Sequence, residues 1–240
     1  MSGVTRVLAL TCALLLAPGL AGAHHVGAFT PKDTDLTVNF KQIKAAAQAG
    51  RFDAALRLFD EGVLHDTMEK HEKRLPAGLE DGLRASLGAR DLPGVELRLS
   101  IFLTFLTGER VREAVARVRD PGLPPERRRE DARKILNAAW RYYNLADFVV
   151  SQQNPKAAVA LRMAFEDAQT YLGGMMADPM WAAGSGSGGP GGSNVAAPAA
   201  VDEGKALTAL GVMERALGEF ILEGARVARK GGAKTFLPRR

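Results

Sequence analysis

Residues 35–59 read DLTVNFKQIKAAAQAGRFDAALRLF, and their spacing decides the fold class. Leu36, Phe40, Ile43 and Ala47 recur at steps of four, three and four, which lines one face of an α-helix. Gly50 follows as a stop, and Phe52, Leu56, Phe59 and Val63 then set out a second stripe. Two amphipathic rods joined by so short a turn must fold back antiparallel to cover their apolar faces. The pattern therefore predicts a helical hairpin, with a first helix over Asp35–Ala49 and a second over Phe52–Arg74, stopped by Pro76.

Outward from this hairpin the chain repeats the same grammar. Ala, Leu, Arg and Glu dominate, β-branched alternation is missing, and no strand is predicted. Helices are expected over Leu79–Leu87, Pro93–Leu106, Glu109–Val118, Pro125–Val150, Pro155–Leu172 and Asp202–Arg229. Pro125 suits the first turn of a helix, and Gly173-Gly174 suits an end. Residues 184–200 are nearly all Gly, Ser, Pro and Ala, too poor in apolar side chains to offset their ordering entropy, and read as a flexible linker. The expected architecture is all-α, an antiparallel bundle of about seven helices in stacked hairpins over residues 35–183, with the linker tethering an amphipathic helix and basic tail over residues 201–240.

Three turn-plus-helix segments look alike. Gly50-Arg51-Phe52-Asp53 leads to Leu56-Arg57-Leu58, Asp91-Leu92-Pro93-Gly94 to Leu97-Arg98-Leu99, and Gln153-Asn154-Pro155 to Leu161-Arg162-Met163. The segment Lys41–Phe59 resembles the inner half of a tetratricopeptide hairpin, with Ala49-Gly50 at the turn and Ala54 and Ala55 at the close packing positions. The Leu-Arg pairs fall 41 and 64 residues apart, unlike a regular solenoid, so a bundle is expected instead.

The start of the chain sets an expected compartment. Arg6, the apolar run Val7–Leu16 and Ala21-Gly22-Ala23 have the pattern of a secretory signal over residues 1–23. Ten apolar residues are too few for a spanning helix, and no later stretch is apolar enough to cross a bilayer. Cleavage after Ala23 would remove Cys12, the only cysteine, and leave a periplasmic or secreted chain with no disulfide, thiolate site or c-type haem. The formal charge of +5 is mild for 240 residues and its basic and acidic groups are interspersed, which argues against nucleic acid as a partner. The densest basic run, Arg127-Arg128-Arg129, is enclosed by Glu126, Glu130 and Asp131 and reads as a solvated helix face.

All four histidines lie in two places, His24 and His25 in the N-terminal segment 24–34, and His65 and His71 on the predicted second helix. A mature N-terminal His24 would offer its amine and ring together, which resembles the histidine brace of secreted copper proteins and implies Cu(II). His25 in second position can also bind copper through amine, amide and ring. His65 and Glu69 are four apart and share a helix face, which Glu61 and Glu72 extend. His71 sits about 120° round a straight helix from His65 and falls beside Leu64, Met68 and Leu75. The resulting candidate metal set is His24, His25, His65, Glu69, His71 and Met68, for copper ahead of iron. Met175, Met176 and Met180 beside Trp181 offer soft donors for Cu(I), but such a cluster more often serves as adaptable packing at a bundle end.

No Gly-x-Gly-x-x-Gly, phosphate loop, Gly-x-Ser-x-Gly or His-Glu-x-x-His occurs, and the scattered carboxylates nominate no acid–base pair. Trp140, Tyr143 and Asp147 share one face and read as core with a hydrogen-bond partner. The expectation is an exported helical protein that binds or delivers a transition metal and is not an enzyme. The competing expectation is a tetratricopeptide-like scaffold without metal, whose partner is another exported or envelope protein held in a groove lined by the Leu-Arg helices. A non-covalent haem held by His65 or His71 with Met68 or Met163 is a third.

Overall fold

The computed structural model describes residues 33–173 and 201–229, and these are helical throughout apart from short turns. Eight α-helices follow one another: α1 (Asp35–Gln48), α2 (Phe52–Asp60), α3 (Val63–His71), α4 (Leu79–Gly88), α5 (Leu92–Val118), α6 (Pro125–Gln153), α7 (Pro155–Tyr171) and α8 (Glu203–Arg229). A 3₁₀ turn over Glu72–Arg74 continues α3. No strand occurs among the described residues, and no described helix is long and apolar enough to cross a membrane. The predicted signal segment, His24, His25, the methionine cluster and the predicted linker lie outside the described residues.

Helix α5 is the central rod. Every residue from Leu99 to Gly108 is buried, so its middle is covered on all sides, as an all-round apolar helix requires. α1 and α4 pack against it on the N-terminal side, and α6 and α8 complete its cover. α5, α6, α7 and α8 contact one another in a closed ring, each running opposite to the last, which makes an up-and-down four-helix bundle. The shorter α1 to α4 form a cap over the first half of α5.

Local sequence explains the ends. Thr34 and Thr37 form a reciprocal capping box at the start of α1, and Gly50 takes the left-handed φ of +74° that closes the α1–α2 turn. Asp91 accepts from the Gly94 N–H at the start of α5, and Asn154 accepts from Ala157 N–H at the start of α7.

Two predicted boundaries are corrected. Pro93–Leu106 and Glu109–Val118 are one continuous helix, because burial on every side outweighs the roughly 1 kcal/mol that Gly108 costs inside it. The predicted rod Phe52–Arg74 is instead broken at Glu61-Gly62 into α2 and α3, so Glu61 and Glu72 do not extend one face with His65.

α8 is docked, with Leu210, Met213, Leu217 and Phe220 almost fully buried. Gly224 lets it approach α5 so closely that a Cβ there would lie 3.0 Å from Ile101 Cγ1. At its other end Glu203 pairs with Arg128 at 3.0 Å and with Arg129 at 3.5 Å. The basic run is therefore no simple solvated face: two of its three arginines tie α6 to α8, and Arg127 pairs with Asp131 at 3.3 Å. Beside this end, Asp202 N–H donates to Tyr171 O at 3.0 Å, which brings the start of α8 onto the end of α7.

Candidate functional site

The break after α2 is held open by a single side chain from α1. Asn39 Nδ2 donates to Leu58 O at 2.8 Å, and Asn39 Oδ1 accepts from Leu64 N–H at 2.9 Å. The amide thus satisfies an end carbonyl of α2 and an orphan N–H at the start of α3, two groups that would otherwise be buried without partners. Gly62 is the position that permits it, since a Cβ there would sit 2.3 Å from Leu58 O and 2.4 Å from Asn39 Oδ1.

This corner turns α3 and points His65 toward α4. His65 Nε2 lies 3.1 Å from Glu80 Oε1 and 3.8 Å from Glu69 Oε1. Its ring stands edge-on to Phe59, with centroids 5.3 Å apart. Arg84 closes the cluster, with Nη2 3.3 Å from His65 Nε2, Nε donating to Asp60 Oδ1 at 3.0 Å and Nη1 donating to Glu80 Oε1 at 3.3 Å. The same guanidinium lies over the Phe59 ring at 5.4 Å. Burial pulls the Arg84 pKa down, but Asp60 and Glu80 outweigh it and hold it above the ordinary arginine value. The cluster draws its groups from α2, α3 and α4 and stays partly open to solvent.

Donor geometry bears directly on metal chemistry. At bond lengths of about 2.1 Å, neighbouring donors round a tetrahedral or octahedral ion lie roughly 3.0–3.4 Å apart. The His65 to Glu80 separation of 3.1 Å falls within that spacing, and the His65 to Glu69 separation of 3.8 Å exceeds it. Ligand atoms of His65, Asp66 and Glu69 also lie within 4.8 Å of one another. The opposing feature is Arg84, a permanent cation on the very nitrogen that a metal would need.

The remaining predicted ligands fall elsewhere. Met68 is fully buried in the core and presents no thioether to this cluster. His71 stands edge-on to Phe105 of α5 at 5.3 Å, in an electropositive corner with Arg74, Arg110 and Lys70. Burial first, then those three cations, push its pKa below the ordinary histidine value. His71 and Met68 are thus separated from His65 by packing, as a partly buried strip and not a ligand pair, because α3 is one short helix whose faces serve different neighbours. Sequence reasoning missed Glu80 and Arg84. Their spacing of four marks a shared helix face, but nothing local to α4 tells which helix that face meets.

The second and third Leu-Arg pairs are engaged within the bundle. Leu97, Leu99 and Leu161 are core residues, Arg98 reaches Ala228 O at 2.9 Å, and Arg162 pairs with Asp147 at 2.5 Å. Trp140 stacks on Phe165 with centroids 4.1 Å apart and leans on Tyr143 at 5.0 Å. Tyr143 is core as expected, but its buried hydroxyl has no hydrogen-bond partner among the described residues, because Asp147 is taken by Arg162 and Ser151; burial first, then Asp147, raise its pKa.

Fold and cluster together define an all-α bundle that carries one histidine, carboxylate and arginine network at a three-helix corner. No family model matches the chain, and no curated protein or solved structure matches it.

Proposed function

We propose that the protein binds a divalent transition metal at the corner formed by His65, Glu69 and Glu80, with Asp66 as a further oxygen donor. The observation that carries this reading is the grouping of His65, Asp66 and Glu69, whose ligand atoms lie within 4.8 Å of one another, with Glu80 of α4 3.1 Å from the His65 ring. One imidazole with carboxylates is a nitrogen-and-oxygen set, suited to Fe(II), Zn(II) or Cu(II) and poorly suited to Cu(I), so iron moves level with copper.

Arg84 gives the site a gate. A metal on His65 Nε2 must displace the guanidinium, which keeps an anchor on Asp60 when it leaves Glu80 and His65. Binding is therefore expected to be moderate, in the range of roughly 1–100 µM, because the ion competes with an internal cation. Calorimetric titration of apo protein with Zn(II), Fe(II) and Cu(II) tests this. His65→Ala and Glu69→Gln should each weaken binding by about tenfold or more. Affinity unaltered in both variants would sink the proposal.

A further inference from the structure

The outward face of α7 carries a pattern with a two-fold symmetry of its own. Taking Leu161, which is fully buried, as the inward direction, the opposite face bears Lys156, Val159, Met163 and Glu166. At about 100° per residue, all four side chains lie within roughly 40° of the direction opposite Leu161. Val159 and Met163 are large apolar residues left 53% and 61% exposed. Lys156 and Glu166 are exposed as well, and among the described residues neither has an ion-pair partner.

Their order along the helix is what selects an occupant. Val159 and Met163 stand two positions either side of Leu161, and Lys156 and Glu166 five positions either side. Reversing the helix about Leu161 therefore puts apolar on apolar and base on acid. That is the requirement for an isologous contact, in which residue i meets j and j meets i across a two-fold axis.

We infer that α7 is a self-association surface, and that its partner is a second copy of this chain laid antiparallel at the level of Leu161. Val159 of one protomer then faces Met163 of the other, and Lys156 faces Glu166 at both ends. The neighbouring Ala160, Ala164, Ala209 and Val212 continue the shallow groove toward α8 and let the apposed helix settle. One helix stripe covers far less than the ~800 Å² per partner of a stable dimer, so the association is weak, with a dissociation constant of roughly 10–300 µM.

Sedimentation velocity on the full chain, followed from about 1 to 500 µM, tests this. A reversible monomer–dimer equilibrium is expected. Met163→Glu should abolish it, with circular dichroism and melting temperature unchanged because the position is exposed. Lys156→Glu should weaken it by about tenfold, and adding Glu166→Lys in the same chain should restore it, since the swap preserves every cross-pair. A wild-type chain that stays monomeric throughout, or a double swap that fails to rescue Lys156→Glu, overturns the inference. So does a monomer whose Met163 resists peroxide oxidation, which would assign the stripe to another part of the same chain.

Discussion

The guanidinium of Arg98, on α5, donates from Nη2 to the backbone oxygen of Ala228, in the last turn of α8, at 2.9 Å across 130 residues of sequence. Nη1 of the same side chain donates to Ser86 Oγ at 3.0 Å and to Gly94 O at 3.1 Å, so one residue joins α4, α5 and the end of α8. Burial lowers its pKa, opposed by Asp91, but the charge stays where the negative end of the α8 dipole can use it.

Arg98→Met should keep the aliphatic stem and lose the three hydrogen bonds, destabilising the fold by about 2 kcal/mol. Amide hydrogen exchange in the last two turns of α8 should accelerate before any other helix responds. Unchanged exchange there would show that the tie is idle.

Gly62→Ala should be among the most damaging small substitutions in the chain. Gly62 is the N-cap of α3, where Gly already outranks Ala, and here an added Cβ meets backbone at 2.3 Å and displaces the Asn39 amide that serves both α2 and α3. A loss of roughly 2–4 kcal/mol is expected, read as a lower urea midpoint. Asn39→Leu should cost about 2 kcal/mol for the same two orphaned groups. A stabilised Gly62→Ala protein would refute this account of the corner.

Arg84→Gln should tighten divalent metal binding while His65→Ala weakens it. Removing the resident cation leaves Glu80 and His65 without their competitor, and a gain of about tenfold in affinity is expected. A loss of affinity in Arg84→Gln would mean that the guanidinium orders the donors instead of blocking them.

Acid should weaken the seam between α3 and α5. His71 is held below the ordinary histidine value of 6.5 by burial and by Arg74, Arg110 and Lys70, with Glu109 the carboxylate that pairs Arg74 and Arg112 alongside. Because the folded value is depressed, the stability it represents is fully present above pH 6.5 and is lost as pH falls through the lower folded value. His71→Gln should flatten the fall in melting temperature between about pH 7 and 5. Equal acid sensitivity in wild type and variant would remove His71 as the cause.

The helical class was legible because hydrophobic spacing is a local property: the stripes of α1, α2 and α8 are written in consecutive turns. The break at Gly62 was not, because its cause is an amide from α1 more than twenty residues away, and a helix pattern runs through Glu61-Gly62 without interruption. Gly108 failed in the opposite sense, since a local breaker was overridden by burial that only the assembled bundle provides. For the candidate site, His65 and Glu69 were visible as an i, i+4 pair, whereas Glu80 and Arg84 depend on which face α4 turns toward α3. His71 is partly buried, as expected, and the periodicity that set it on the side of Leu64 and Met68 already separated it from His65.

Tyr171 O and Asp202 N–H meet at 3.0 Å, so the end of α7 and the start of α8 are tied directly to each other. Two ends held this close set no minimum span for the interval between them, residues 174–200. Its length is thermodynamically cheap to alter, with each doubling costing about 0.6 kcal/mol in closure entropy. That interval is accordingly the natural port for grafting a reporter or an affinity sequence, and the place where evolution can lengthen this chain at least expense to its core.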